Sequence, residues 1–507
     1  MEYLIGVDLG TSGTKTVLFD IKGNAVSSAT VEYPLHQPQN GWAEQDPADW
    51  WNACVETLRA VVRDSGIDAK AIRGIGLSGQ MHGLVMLDSD GEVLRNSIIW
   101  CDGRTADECA EITERVGARE LIEITANPAL TGFTAGKILW VRKNEPELYA
   151  KCRHILLPKD YLRYKLTDAF ASEVSDASGM NLLDVTKRGW SEKVLRDLEI
   201  DRELLPSMHE SYEVTGHITA HVAEITGLAK GTPVVGGAGD NAAAAVGTGV
   251  VVAGKAFTTI GTSGVIFAHA DTVSIDPEGR VHTFCSAVPG AYTVMSCTLS
   301  AGGSLQWFRN NLCEPEMAAA KEQGVDPYYL MDKQAERVPI GANRLLFLPY
   351  LMGERSPILD PDSRGLFFGL SAMHTRPDML RAVMEGVVYS LRECLDVLHG
   401  MGVVSKEMLA TGGGGSSALW RQMLADVYGC PVTTIANKEG PALGAAILAG
   451  VGSGVYESVQ KACADIVITR EPQNPIEENS KKYAKFYKLY CELYPQLKDQ
   501  FRELSAL

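Results

Sequence analysis

The chain has 507 residues, enough at roughly 100–200 residues per domain for two to four domains with full cores. Its net charge of −16 and 47 scattered Lys and Arg provide no basic stripe to neutralise a row of phosphates, which argues against a nucleic-acid partner. No apolar run approaches the ~20 residues that cross a bilayer, MEYLIGVDLG has no basic leader, and the 11 Cys, without a C-x-x-C pair, suit a reducing cytosol and no membrane.

The β-prone runs 3–9 and 14–19 are joined by the turn GTSG, and the turn after Asp20 leads to a third run at 25–31, so the chain opens as a β-meander. Asp46 and Pro47 then predict a helix start, with Trp50, Trp51, Cys54, Leu58 and Val61 or Val62 on one face and Gly66 as the stop. A strand at 72–77 runs into the loop SGQMHG, 78–83, and a strand at 84–87 follows. Further along, VVGGAGDNAAAAVG carries Asp240 behind a glycine-rich turn, where an aspartate is usually a helix N-cap and can at the same time be an acid close to a ligand. As a base for an alcohol attacking phosphorus it needs only ordinary basicity, because that proton leaves late.

At 256–269 the opening pattern recurs, two strand-like runs about a second GTSG at Gly261–Gly264. Such a turn is either a plain hairpin or a nest of amides and hydroxyls for a phosphate, and the repeat favours the nest. Asp8, three residues before Thr11, is placed to hold a hydrated Mg2+ beside phosphates. Met408–Thr411 reads as a strand, GGGGSS as a turn, and Ala418–Tyr428 as a helix; GPALGAAILAG, 440–450, is a helix small enough to approach another backbone closely. Near the end Tyr483, Phe486, Tyr487, Tyr490, Leu493 and Tyr494 form a core-packing stripe, with Pro495 expected to break or kink the helix. Other nucleotide motifs fail: GTSGTK is too short for G-x-x-x-x-G-K-[ST], GGAGDN does not complete G-x-G-x-x-G, and the H-R-D and D-F-G sequences are missing. HITAH, with His217 and His221, lacks the glutamate of a zinc-protease motif.

GFTAGKILWVRKN at 132–144 and GLFFGLSAMHTRPDMLRAVME at 365–385 resemble the two signatures of the FGGY carbohydrate kinases, and DLGTSGTK, GGAGDNAA, IGTSG, TGGGGSS and GPALGAA follow in that family's order. The resemblance implies an α/β fold of two ribonuclease-H-like domains of the actin and hexokinase ATPase type, 1–245 with the sugar site and first phosphate hairpin, and 246–507 with the nucleotide site and a C-terminal helical segment. ATP would lie in the cleft between them, one GTSG turn on each side, and closure would exclude water. WAEQDPADWW, SGQMHG, IIWCDGR, LLPKDYLRYKLT and FLPYLMGERSP are similar to the branch that phosphorylates D-xylulose in xylose catabolism. Glycerol kinases carry Arg-Glu where this chain has Met81-His82.

Carried over by residue, the resemblance makes Asp240 the catalytic base and Asp8 the acid associated with Mg2+. Met81 and His82 would line the sugar site, His82 having a second reading as a buried structural histidine; Trp100 would face the sugar or belong to the core. Thr11, Ser12, Gly13, Lys15 and Thr262 match phosphate-contacting positions, and Gly302, Gln306, Gly413 and Ser417 match those around the nucleoside. Ser417 replaces the Asn of glycerol kinases, which counts against an adenine contact by its side chain. The implied partners are ATP and a small sugar, with homodimer formation as a compatible assembly. Rival acceptors are ribulose, fuculose, gluconate and glycerol; the rival from another class is an actin- or chaperone-like ATPase switch.

Overall fold

In the computed structural model, which describes residues 1–436 and 439–507, the first strand is Tyr3–Leu9. Ile5, Val7 and Leu9 pack with Trp50, Cys54, Leu58 and Val61 of the helix Pro47–Ser65, while Leu4 joins a different cluster on the opposite face. That helix begins and ends as the sequence predicts: Asp46 Oδ1 accepts the amide of Ala48 at 2.9 Å, and Gly66 stops it at φ 65°. Tyr3–Leu9 pairs antiparallel with Gly13–Asp20, which pairs with Ala25–Glu32, and on its other side runs parallel to Ile72–Gly79. Pro233–Val235 continues the sheet beyond Ile72–Gly79.

The second sheet repeats this plan. Lys255–Ile260 is antiparallel to Gly264–Ala270, which pairs with Tyr292–Thr298, and is parallel to Glu407–Thr411, beyond which lies Val432–Thr433. Each sheet therefore contains a five-strand core in the order 3-2-1-4-5 of a ribonuclease-H-like unit, with a GTSG turn between strands 1 and 2, extended at one edge by Val214–His217 in the first sheet and by His282–Cys285 in the second. In the second unit Arg376–Gly400 packs along the sheet, and Thr375 with Asp378 closes a capping box at its start.

The two units are joined through side-chain-poor helices. Gly440–Gly452, from the second half of the chain, lies against Tyr3–Leu9, Ile72–Gly79 and the helix Asp240–Gly247. A Cβ at Gly76 would stand 1.9 Å from the carbonyl oxygen of Ala445, and one at Gly444 would stand 1.9 Å from that of Ala243. Leu4, Val17, Phe19, Val235, Val246, Leu443 and Ile447 fill the space around these contacts.

Three expectations change. GGGGSS is not a simple turn, because Gly412–Gly415 winds one helical turn before Ala418–Tyr428. Of the two outcomes expected at Pro495, a break does not occur: the C-terminal helix Glu477–Ala506 continues through it. Interior proline costs about 3 kcal/mol, and anchors on both sides outweigh it: Arg381 donates to Tyr483 Oη at 2.6 Å, the hydroxyls of Tyr487 and Tyr494 donate to Asp396 and Asp360 at 2.7 Å, and Phe501 is buried beyond the proline. Asp240 is not an N-cap: Gly239 holds that position, and Asp240 is the first helical residue.

Overpacking of this kind costs about 1–3 kcal/mol or more. Gly76→Ala should therefore lose at least that much in urea unfolding, whereas Gly400→Ala, which meets nothing within 4 Å, should stay within about 0.5 kcal/mol of the parent.

Candidate active site

Asp8, Ser78 and Ala238 lie side by side at the carboxyl ends of three neighbouring strands, in register as Asp8↔Ser78 and Ser78↔Ala238. Asp240 follows Ala238 by two residues, so both acids rise at one end of the sheet, where α/β folds place ligands. Ser78 Oγ donates to Asp8 Oδ1 at 2.9 Å, and Lys15 lies opposite Asp8 in the hairpin but pairs with Glu439 at 2.5 Å. Burial raises the Asp8 carboxyl above its usual range, against the pull of Ser78 and Lys15. Burial and the charge of Asp8 push Asp240 up to about 7, although it accepts Asn241 N at 2.7 Å and Asn241 Nδ2 at 3.0 Å. Ordinary basicity would suffice for the role, and the site gives more: a part-buried carboxyl beside a second acid resists ionising.

The glycine turn before Asp240 is held from beneath by a charged cluster that the sequence did not single out. Arg163 and Lys159, both fully buried, donate to the carbonyl of Gly236 at 2.8 and 3.2 Å. Ser175 Oγ accepts Gly239 N at 3.2 Å and donates to Glu173 at 2.9 Å. The only sign of this in the sequence is a pair of cations, Lys159 and Arg163, one helical turn apart in PKDYLRYKLT, with Asp160 between them.

Met81 is buried, and its side chain lies so near Gly239 that a Cβ there would be 2.9 Å from Met81 Cγ. His82 has φ 69°, a left-handed conformation that costs a non-glycine residue about 1–3 kcal/mol and gathers at functional sites. Its Nδ1 donates to the carbonyl of Gly179 at 2.8 Å, leaving Nε2 as an acceptor, and its ring stacks on Phe133 at 4.5 Å. Lys137 fixes the loop, donating to the carbonyls of His82 and Gly132 at 2.7 and 2.6 Å. Burial brings Lys137 down to about 7. A lone lysine in the apolar run TAGKILW was the available signal for it.

Both GTSG turns have their carbonyls tied back. In the first, Tyr33 donates to Gly10 O at 2.5 Å and Gln45 to Thr11 O at 2.7 Å; in the second, Gly302 N donates to Gly261 O at 2.7 Å, and Ala301 N and Gly303 N to Thr262 O at 2.9 and 3.0 Å. Among the described residues the amides of Thr11, Ser12, Thr262 and Ser263 have no such partner, the arrangement an anion cradle requires. Ser12 is exposed and Gly13 begins the second strand. Trp100 is 47% exposed, which removes the core reading, and its Nε1 donates to Thr11 Oγ1 at 2.9 Å.

Thr262, Gly302, Gln306, Gly413 and Ser417 line one cavity of about 590 Å³, together with Tyr328 and Trp420. The Ser417 hydroxyl caps the following helix by accepting Trp420 N at 3.1 Å. A second cavity of about 770 Å³ shares Gly413 and Ser416 with the first and reaches Asn241 and Ala244 across the lobe boundary. The second-lobe residues thus converge on one chamber, and the first-lobe residues on the end of the first sheet; Asn241 joins the two, while Thr11 and Lys15 line neither cavity. A cavity of about 700 Å³ on the outer face, around Glu393 and Tyr487, contains none of these residues.

The N-terminal domain of the FGGY family of carbohydrate kinases matches residues 3–247, and its C-terminal domain matches 256–453. The chain belongs to this family. It is 40% identical over 499 residues to the xylulose kinase of Bacillus subtilis, covering 98% of both chains, and 31% identical over 512 residues to the gluconokinase of the same organism, covering 99% of this chain and 98% of the other. The crystal structure of xylulose kinase from Rhodospirillum rubrum superposes with a TM-score of 0.92 at 31% identity, over 99% of this chain and all of that one. The two ribonuclease-H-like units are thus the domains of an FGGY kinase, an enzyme that transfers phosphoryl groups to carbohydrates.

Burial and the charges of Lys137 and Arg355 hold the His82 imidazole down to about 3. Its ring resonances in a two-dimensional NMR spectrum should therefore not titrate between pH 5 and 8.

Proposed function

We propose that this FGGY kinase transfers the γ-phosphoryl group of ATP to the terminal hydroxyl of D-xylulose, forming D-xylulose 5-phosphate. The observation that carries the reading is the place of Asp240, a shielded carboxyl at the end of the first sheet, with Asp8 on one side, Met81 beside it, and the glycine-lined chamber beyond Asn241. The choice of acceptor rests on the full-length similarity to xylulose kinases and on Met81-His82, whose neutral ring offers Nε2 to a sugar hydroxyl.

In this reading Asp240 orients the hydroxyl and accepts its proton as the oxygen meets phosphorus, and its raised proton affinity suits it to that step near neutral pH. Gly302, Gln306 and Gly413 frame the nucleoside, and the amides of the two turns, with Thr11, Ser12, Gly13, Lys15 and Thr262, receive the phosphates. Trp100 forms a wall between the first turn and the sugar. Ser417 shapes the chamber, its hydroxyl already engaged in the helix cap. Asp8 fits a hard divalent cation such as Mg2+, because Ser78 fixes one carboxylate oxygen and leaves the other for a ligand. Bound there, the ion would neutralise phosphate charge. Eleven free cysteines support a place in the cytoplasm.

Gluconate is the second candidate acceptor, favoured by the 31% identity to a gluconokinase over nearly the whole chain. ADP release measured with D-xylulose, D-ribulose, L-fuculose, D-gluconate and glycerol decides between them. D-xylulose is expected to give the highest kcat/KM; a higher value with gluconate would move the assignment, and no stimulation by any of them would leave an ATPase switch.

Asp240→Asn should lower kcat by roughly two to four orders of magnitude, the usual worth of a positioned base, with ATP affinity within a few-fold of the parent. Because the Asp240 carboxyl is raised to about 7, it is protonated and unable to accept below that pH. In the parent enzyme kcat/KM for the sugar should accordingly fall as pH drops through about 7 and approach a tenfold loss per pH unit below about 6.

A further inference from the structure

Arg355, in the segment MGERSP, is a half-buried guanidinium that forms no ion pair among the described residues. The adjacent Glu354 is no counter-ion, since its carboxylate accepts the amides of Leu299 and Arg355 at 2.9 and 2.8 Å and the hydroxyl of Thr298. Arg355 instead donates to His282 Nε2 at 3.0 Å. The state of that imidazole follows from its other partner. Asn127 Nδ2 donates to the carbonyls of Thr125 and Thr283 at 3.0 and 2.9 Å, so the Asn127 oxygen, 2.7 Å from His282 Nδ1, accepts a proton from it. Nε2 is therefore bare and the ring neutral, and the charge of Arg355 remains uncompensated.

This charge stands beside the acceptor end of the site. His282 and His82 share two aromatic neighbours: Phe133 at 5.9 and 4.5 Å, and Phe284 at 5.8 and 6.4 Å, respectively. A partly desolvated cation without a counter-charge is costly unless an oxygen acceptor meets it. The guanidinium only donates, so it matches a carbonyl oxygen, which only accepts; a hydroxyl in the same place brings a proton that needs an acceptor of its own.

We propose that Arg355 is a specificity-determining residue that hydrogen-bonds the ketone oxygen of the acceptor sugar, so that the enzyme takes a ketose in preference to the polyols derived from it. The assignment rests on the reading that Met81 and His82 line the acceptor site. The second lobe then contributes directly to sugar recognition, through a relay from Asn127 to His282 to Arg355 that crosses between the lobes.

The test compares kcat/KM for D-xylulose with that for xylitol and D-arabinitol, the two products of reducing its ketone, in the parent enzyme, Arg355→Met and Arg355→Lys. The ratio of ketose to polyol is independent of the fraction of enzyme that is folded. In Arg355→Met the ratio should fall about 10- to 100-fold, mainly through a higher KM for D-xylulose, as expected for loss of a charged hydrogen bond to a neutral acceptor. Arg355→Lys should recover part of it. A parent enzyme active on D-xylulose whose ratio is unchanged in Arg355→Met overturns the role of Arg355 alone. A parent inactive on all three compounds overturns the proposed substrate and this assignment with it.

Discussion

At Gly6, Gly76, Gly247 and Gly444 a methyl group would overlap a carbonyl oxygen at 1.8–1.9 Å, so the helix Gly440–Gly452 meets the first sheet and the helix Asp240–Gly247 almost backbone to backbone. The placing of the first-lobe acids against the second-lobe chamber inherits this contact. It sets how far the strand carrying Asp8 stands from the helix carrying Asp240, and Glu439 at its edge sets where Lys15 points. Short side chains lose little rotamer freedom on packing, so the contact is close without a large entropic cost. Interiors at this density transmit strain, and two lobes joined so tightly can rotate about the joint more readily than they can slide across it.

The site concentrates negative charge in a protein that is already acidic. Asp8 raises the proton affinity of Asp240, Glu439 adds to that of Asp8, and phosphates would add to the same field. The compensating elements are mostly amide dipoles from the two glycine turns, which carry no mobile charge and are fixed by the carbonyl ties behind them. Three of the buried cations have structural tasks: Lys159 and Arg163 hold the loop before Asp240, and Lys137 holds the His82 loop. A fixed polar frame needs no reorganisation as phosphorus changes hands.

The sequence disclosed what is local. Hairpins, the Asp46 cap, the Gly66 stop and the small-residue helix are written in runs of a few residues, and the structure contains each of them. For the site, the family resemblance points to Thr262, Gly302, Gln306, Gly413 and Ser417, residues scattered in the chain that line one cavity. Three things were not legible, each for a different reason. Whether Asp240 caps its helix depends on the backbone angles of Gly239, and its basicity depends on Asp8, distant in the chain. The passage of the last helix through Pro495 depends on tyrosines finding Arg381, Asp396 and Asp360, more than ninety residues away. The alignment of Asn127, His282 and Arg355 draws on segments with no shared motif.

The first sheet is completed by a helix that lies nearly two hundred residues downstream of Gly247. A ribosome adding roughly 5–20 residues per second presents the amino-terminal lobe about 10–40 s before its covering helix emerges. During that interval Leu4, Val17, Phe19 and Val235 lack the neighbours Leu443 and Ile447 that later bury them. The nascent lobe is thus an unfinished layer with one greasy side, a natural client for a holding chaperone, and a polypeptide severed at the lobe junction would leave its front half permanently in that state.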